Sequence, residues 1–423
     1  MNRNLKLIIY KWALIAVAVL LLVFPSVADK MPQIDSRIML TAIGLDTDEK
    51  EGYELTAAVT VASGGTGGGK ESSVSVSGDS VGTLMDNLSR ALGKRAELAH
   101  CAMLALGKEL CLKGVKEPIE DFISSTGLSD GVSVVAASDT AKEIIETAAG
   151  LSESAAFSLG SFLSFAGEDA QVPMVSLVRF AADNNSTGGS AYLPIIEMSK
   201  PEGKGGGSGG SESGCGSGGG ESGGGESGGS GNGESGSGSG EKSGGTAQIA
   251  SAEKTRIFKG YKAVGEFDEK ATFALTWLDP QSDRGIIKLD KLEIGGKDLG
   301  NFTFDIRKKG IGVSAKFEDG TPEVTVKVDA QLEAQARNRL AELKESGMPV
   351  MEINTIVKEK LSEQMSEHIK NGWEKAKELK ADPFKYSNAL FKKDPRRYDE
   401  EIGALETLFE KLELNVDVNI LLM

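Results

Sequence analysis

Apolar positions along the chain recur in two rhythms, and their alternation predicts an α+β protein. Ile38–Leu45 and Tyr53–Val61 are both rich in apolar residues, and the polar turn Asp46–Gly52 between them predicts a β-hairpin. Val74 and Val76 mark a short strand. From Ser80 the period changes. Val81, Leu84, Met85, Leu88, Ala91 and Leu92 recur at helical spacing until Gly93, with Ser80 as the expected N-cap. Leu98–Leu106 is one continuous apolar run, suited to a central strand covered on both faces. A helix through Pro118–Ser125, a buried strand over Val132–Ala137, a helix capped by Ser138 and a late strand over Tyr192–Met198 complete the first half.

The second half restarts at Gln248. Thr255–Gly260 and Lys262–Gly265 read as a hairpin arm, Glu269–Leu278 as a helix and Gly285–Leu289 as a strand. Three period-2 strands follow: Phe302/Phe304/Ile306, Val313/Ala315/Phe317 and Val324/Val326/Val328, with Asp319-Gly320 turning the last two into a hairpin. A helix is expected from about Ala330 to Glu345, with Leu332, Ala336, Leu340 and Leu343 on one side and Gly347 as its cap. A longer helix is expected at about Ile353–Lys380. Its stripe of Val357, Leu361, Met365, Ile369, Trp373 and Ala376 and its mixed-sign polar face suit a helix laid on a sheet, not one drawn to anionic lipid. The alternation Leu412/Leu414/Val416/Val418/Ile420 predicts a half-buried antiparallel strand at the end.

The amino terminus has its own pattern. Arg3, Lys6 and Lys11 precede Trp12–Phe24, an uninterrupted apolar run that Pro25 breaks, and Ser26-Val27-Ala28 supplies small residues for a cut before Asp29. This is the layout of a secretory signal. The run covers only about 20 Å as helix against a hydrocarbon core of about 30 Å. Counting back to Leu5 lengthens it with a single Lys that could snorkel, so a cleaved signal and a retained anchor both fit. Either way, residues after about 30 are expected to face outside.

Composition divides the chain further. Of 54 Gly, 23 fall in Gly203–Gly245 together with 11 Ser. Such a tract behaves as a flexible coil with an r.m.s. span of about 36 Å. The expected organisation is a leader over 1–30, an N-terminal α/β domain over 31–200, a Gly/Ser-rich linker over 201–247, a middle segment over 248–295 and a C-terminal α+β domain over 296–423. A net charge of −15 argues against a basic nucleic-acid surface. His100 and His368 with Cys101, Cys111 and Cys215 have no zinc spacing. Cys101 and Cys111 read as buried thiols and Cys215 as an exposed one. His100, inside the apolar run, reads as a packing residue, and His368 as a flank of the long helix. An HExxH motif is absent from the sequence. No catalytic, metal or cofactor site is expected, and the chain reads as a non-enzyme.

Five fragments, in order, resemble the Ger(x)C family, the C subunits of spore germinant receptors. Gly44 and Asp46 in TAIGLD resemble an early strand end. Ala99-His100, an apolar strand and then Gly107-Lys108-Glu109-Leu110 resemble a second segment, and Val134–Ala137 with Ala141-Lys142-Glu143 a third. Arg256-Ile257-Phe258-Lys259 with Val264-Gly265, Trp277-Leu278 and Arg284-Gly285 form a fourth. Leu379–Phe384, with Asp382 and Phe384, before Ala389-Leu390-Phe391, forms a fifth. The family-motif positions are therefore Gly44, Asp46, His100, Gly107, Phe258, Gly265, Trp277, Gly285, Asp382 and Phe384. The family's lipobox Cys is missing, the Gly/Ser insert is atypical, and Ser387 and Ala99 stand where Gly is usual. The resemblance implies an extracytoplasmic, non-enzymatic subunit at the spore inner membrane. It would assemble with A- and B-type membrane subunits and take part in the response to small nutrients. The alternative class is an exported or anchored solute-binding protein, whose sign would be a ligand cleft.

Overall fold

The computed structural model describes residues 11–19, 37–48, 50, 52–61, 70–125, 127–151, 172–198, 250–282, 284–290, 292–294, 297–298, 300–318, 320–335 and 349–423. The cleavage region, the linker with Cys215 and the expected helix beyond residue 335 lie outside them. Residues 11–19 are helical, and no described helix is long and apolar enough to cross a membrane.

The chain is an α+β protein built on two principal sheets. The first begins with β1 (Arg37–Thr47), β2 (Tyr53–Val61) and β3 (Lys70–Gly78), an antiparallel meander. Helix α1 (Val81–Leu92) returns the chain; Ser80 caps it by accepting from the Thr83 N–H, and Gly93 ends it at φ 64°, as the pattern predicts. Then follow β4 (Arg95–Glu97), β5 (Met103–Leu106), α2 (Lys108–Lys113), α3 (Lys116–Ser125), β6 (Ser133–Ala137), α4 (Ala141–Leu151), α5 (Leu177–Asn184) and β7 (Ser190–Met198). β1, β5, β6 and β7 are parallel neighbours joined by helical crossovers.

The sheet does not stop at the linker. β8 (Ala250–Lys259) pairs antiparallel with β7, and β9 (Lys262–Phe267) with β8, giving the order β3-β2-β1-β5-β6-β7-β8-β9 with β4 also on β1. The Gly/Ser tract thus connects two adjacent strands of one sheet. One sheet face carries small residues, Ala42, Ala58, Ala105 and Ala137, over which α4 lies with Ile144 and Ile145. The other face joins a core that runs through α1, α2, α3 and α5 and on into the second sheet.

α6 (Glu269–Trp277) follows, capped by Asp268, then β10 (Ile286–Leu289) and the short pair β11 (Glu293–Ile294) and β12 (Lys297–Asp298). β13 (Phe302–Glu318) and β14 (Thr321–Ala334) form one long hairpin. Two of the expected strands are therefore one. The register shifts between Ile306 and Lys308, so Arg307 is an extra residue. It moves the inward positions from even (Phe302, Phe304, Ile306) to odd (Ala315, Phe317), with Val313 farther along the same row exposed, which breaks the alternation without breaking the strand. Ala330 and Leu332 continue the inward row of β14. The helix expected to start at Ala330 is thus strand through Ala334.

α7 (Val350–Glu378) buries Val357, Leu361, Met365, Ile369, Trp373 and Ala376, the stripe read from sequence. It packs against α6 and the second sheet. Lys380 ends it at φ 54° in a Schellman motif: the Lys380 N–H donates to Lys377 O and the Ala381 N–H to Ala376 O. α8 (Tyr386–Lys393), α9 (Pro395–Glu401) and α10 (Leu405–Lys411) lead to β15 (Glu413–Leu422). The second sheet has the order β10-β13-β14-β15. β15 is parallel to β14, not antiparallel as expected. Among the described residues four helices separate the two strands, and such a crossover returns the chain in the same direction. Alternation marked a half-buried strand correctly; it carries no information about direction.

Cys101 and Cys111 are buried, as read from sequence. Burial pushes their thiols up to about 12 and about 11. A Cys215→Ser variant should therefore release no fast thiol to Ellman's reagent at pH 8 while native, and two after denaturation. Rapid native labelling would show that these strands open.

Candidate functional site

The family-motif positions sort into two joints, a third cluster and one outlier. The first joint lies at the carboxyl ends of the parallel strands. In open α/β sheets this is where ligands sit, often with an anion on a helix N-terminus. Here Asp46, at the end of β1, occupies that place. Its Oδ1 accepts from the Ala141 N–H at 2.9 Å and its Oδ2 from the Lys142 N–H at 2.8 Å. The carboxylate caps α4 from another element, and burial raises its pKa despite these donors. Lys142 Nζ in turn pairs with Glu54 at 2.7 Å. Gly107 makes room: a Cβ there would lie 1.9 Å from Asp46 Oδ1. Gly44 lets α4 approach, since its Cβ would meet Ala141 at 3.0 Å.

The second joint fastens the loop after α7 to the first sheet. Asp382 is 1% exposed. Its Oδ2 accepts from the Ser387 N–H at 2.7 Å and the Ser387 hydroxyl at 2.6 Å, and its Oδ1 from the Tyr386 N–H at 3.1 Å. Its own N–H donates to Ser190 Oγ on β7 at 2.9 Å. Burial is the main influence on its carboxyl and raises its pKa. Ser387, where the resemblance led to Gly being expected, supplies two of these donors. Gly188 faces it with no room for a side chain, since a Cβ would lie 2.5 Å from Ser387 Oγ. Phe384 stacks on Tyr386 with centroids 5.6 Å apart, and Gly265 on β9 gives space to Leu379, 2.4 Å from where a Cβ would be.

Phe258 is buried on β8, edge-on to Phe180. Trp277 is buried at the end of α6, stacked with Phe273, and Gly285 precedes β10 at φ 147° and accepts from the Ile306 N–H. His100 is the outlier. It is exposed in the turn between β4 and β5, where the Cys101 N–H donates to Leu98 O. The expected single strand over Leu98–Leu106 is broken there, so His100 is not the core packing residue anticipated.

Two features were not read from the sequence. One is a polar bolt beside the second joint. Lys385 Nζ lies 2.6 Å from Asp183 on α5, and Arg179 reaches Asp279 at 2.8 Å and the Tyr192 hydroxyl at 2.6 Å. Arg179 within α5 and the Asp183-Asn184-Asn185 run at its end were its sequence signal. The other is a cleft of about 330 Å³ between α6, β10 and α7, with Phe273, Ile286 and Met365 on its apolar wall and Lys270, Asp290 and His368 on its polar one. Gln364 fixes the wall by accepting from the Asp290 N–H and donating to Lys288 O. His368 stands edge-on to Phe273, and burial lowers its pKa.

Both joints use carboxylates to hold backbone N–H groups, which defines this as an α+β protein fastened internally at Asp46 and Asp382. The comparisons with known proteins give it a family. Residues 29–198 match the family described as "Spore germination protein N-terminal domain", and residues 253–423 match "Spore germination B3/ GerAC like, C-terminal". The chain belongs to the Ger(x)C family of spore germination proteins. A solved structure titled "Crystal Structure of the GerBC protein" is similar at 14% identity, covering 91% of this chain and 98% of that one, with a TM-score of 0.47. No curated protein matches the chain.

Proposed function

We propose that this chain is a non-enzymatic C-type subunit of a membrane-bound germinant receptor, held on the extracytoplasmic face of the spore inner membrane and required for the response to small nutrients. The observation that carries the reading is the match of both halves to spore germination families. The basic and apolar amino terminus supports export, as a signal or an anchor. The chain contributes scaffolding and coupling to A- and B-type membrane subunits. Its motif carboxylates serve as joints, in keeping with a role without chemistry. We also propose the division into leader (1–30), N-terminal domain (31–200), linker (201–247), middle segment (248–295) and C-terminal domain (296–423), with β8 and β9 completing the N-terminal sheet.

Deleting the gene in a strain without a paralogue should abolish nutrient-triggered germination, and the chain should co-purify from spore membranes with two integral membrane proteins. Normal germination of the deletion strain would overturn the reading. The cleft beside His368 favours a second reading, a solute-binding protein. Calorimetry of the exported part with amino acids and sugars tests it, and silence across that panel removes it.

A further inference from the structure

The four-stranded sheet has two edges, and they are treated differently. At the β10 edge, Gln364 satisfies both the Asp290 N–H and the Lys288 carbonyl. At the other edge, β15 runs ten residues in unbroken register with β14, from Glu323↔Glu413 to Leu332↔Leu422. The Met423 N–H donates to Leu332 O. Because backbone groups alternate sides along a strand, odd-numbered residues face β14. The N–H and C=O groups of Leu414, Val416, Val418 and Ile420 therefore point to the open edge. Among the described residues, no hydrogen bond reaches them from that side. Natural edges are guarded by charged side chains, above all Lys, by Pro, by a bulge or by a covering element. β15 contains no Lys, Pro or Gly and no bulge, and its two charges are Glu413 and Asp417.

Its outward side chains indicate what fits. Glu413 lies opposite Glu323 in register, and Glu323 is already held by Lys316 and Asn415. Asp417 lies opposite Lys327, whose Nζ is 3.9 Å from Asp329. Neither Glu413 nor Asp417 has an ion pair among the described residues. Leu421, on the same row, is 51% exposed. A second copy would set two acidic rows side by side, which is unfavourable.

We infer that the open edge of β15 receives an extended segment of a different protein, with basic side chains at alternate positions, as a fifth strand of this sheet. Main-chain hydrogen bonds hold it, and Glu413 and Asp417 set its register. The inference rests on the receptor reading only for where that segment comes from.

The test uses the purified full chain and ten-residue peptides that alternate valine with lysine or valine with glutamate, read by fluorescence anisotropy. The lysine peptide should bind at least tenfold more tightly than the glutamate peptide. Val416→Pro removes an edge N–H without touching the β14 ladder or the net charge, and should weaken binding tenfold or more. Glu413→Lys with Asp417→Lys should do the same with thermal stability unchanged, and serves if the proline variant fails to fold. Equal binding of both peptides, no binding up to about 1 mM, or full binding by the folded variants would overturn the inference. Loss of membrane partners by the wild-type chain in co-purification would count against the receptor reading instead.

Discussion

Asp382→Ala should cost about 3–4 kcal/mol of unfolding free energy in a denaturant titration. The substitution leaves the Ser387 and Tyr386 N–H groups and the Ser387 hydroxyl without their acceptor, at a position 1% exposed. A buried donor without a partner costs about 1–3 kcal/mol, and entry of water offsets part of the total. The loss should be cooperative, because the same residue ties the loop after α7 to Ser190 on β7. A cost below about 1 kcal/mol would mean that the joint is not a fastening.

Asp382→Asn separates charge from geometry. Burial raises the folded-state pKa of Asp382, so the folded chain holds this proton more tightly than the unfolded chain does. The contribution is therefore fully present below the unfolded carboxylate value, near 3.9, and is lost as pH rises through the folded value. The asparagine variant has no such dependence. Its deficit relative to wild type should widen on acidification from pH 7 toward pH 4. Other carboxylates titrate equally in both proteins and cancel in the difference. A deficit that narrows would show that the hydrogen bonds, which lower this pKa, outweigh burial.

Local periodicity made much of the fold legible. The β1–β2 hairpin, α1 with its Ser80 and Gly93 caps, and the stripe of α7 depend on residues close in sequence. The readings that failed involve a change of phase or a distant partner. Arg307 shifts the alternation within β13 and made one strand look like two. The direction of β15 is set by a helical crossover, which its own ten residues do not encode. The end of the long helix near Lys380 was legible, but the role of Asp382 just beyond it depends on Ser190, 192 positions away. His100 looked like core because Leu98, Cys101 and Met103 around it are core, but a tight turn brings its side chain out. Gly44, Gly107 and Gly265 are understood by what stands against them, Ala141, Asp46 and Leu379, which local sequence does not encode.

Gly107→Ala is the sharper test of that point. Gly107 has φ −64° and ψ 154°, a conformation any residue adopts, so no backbone strain is involved. The cost comes from contact alone: the added methyl would lie 1.9 Å from Asp46 Oδ1. The carboxylate must move, and the Ala141 and Lys142 N–H groups lose their cap at the start of α4. We expect a loss of about 2–3 kcal/mol, at the upper end for a helix cap because the site is buried. The prediction has a built-in control. In an Asp46→Ala background the methyl has no carboxylate to displace, so Gly107→Ala should then cost less than about 1 kcal/mol. Equal costs in the two backgrounds would show that Gly107 is required for some other reason. The expected non-additivity would also account for the helix N-terminus at which such folds often hold an anion: here the chain's own aspartate fills the position, and a glycine on the neighbouring strand end gives that aspartate the space to do so.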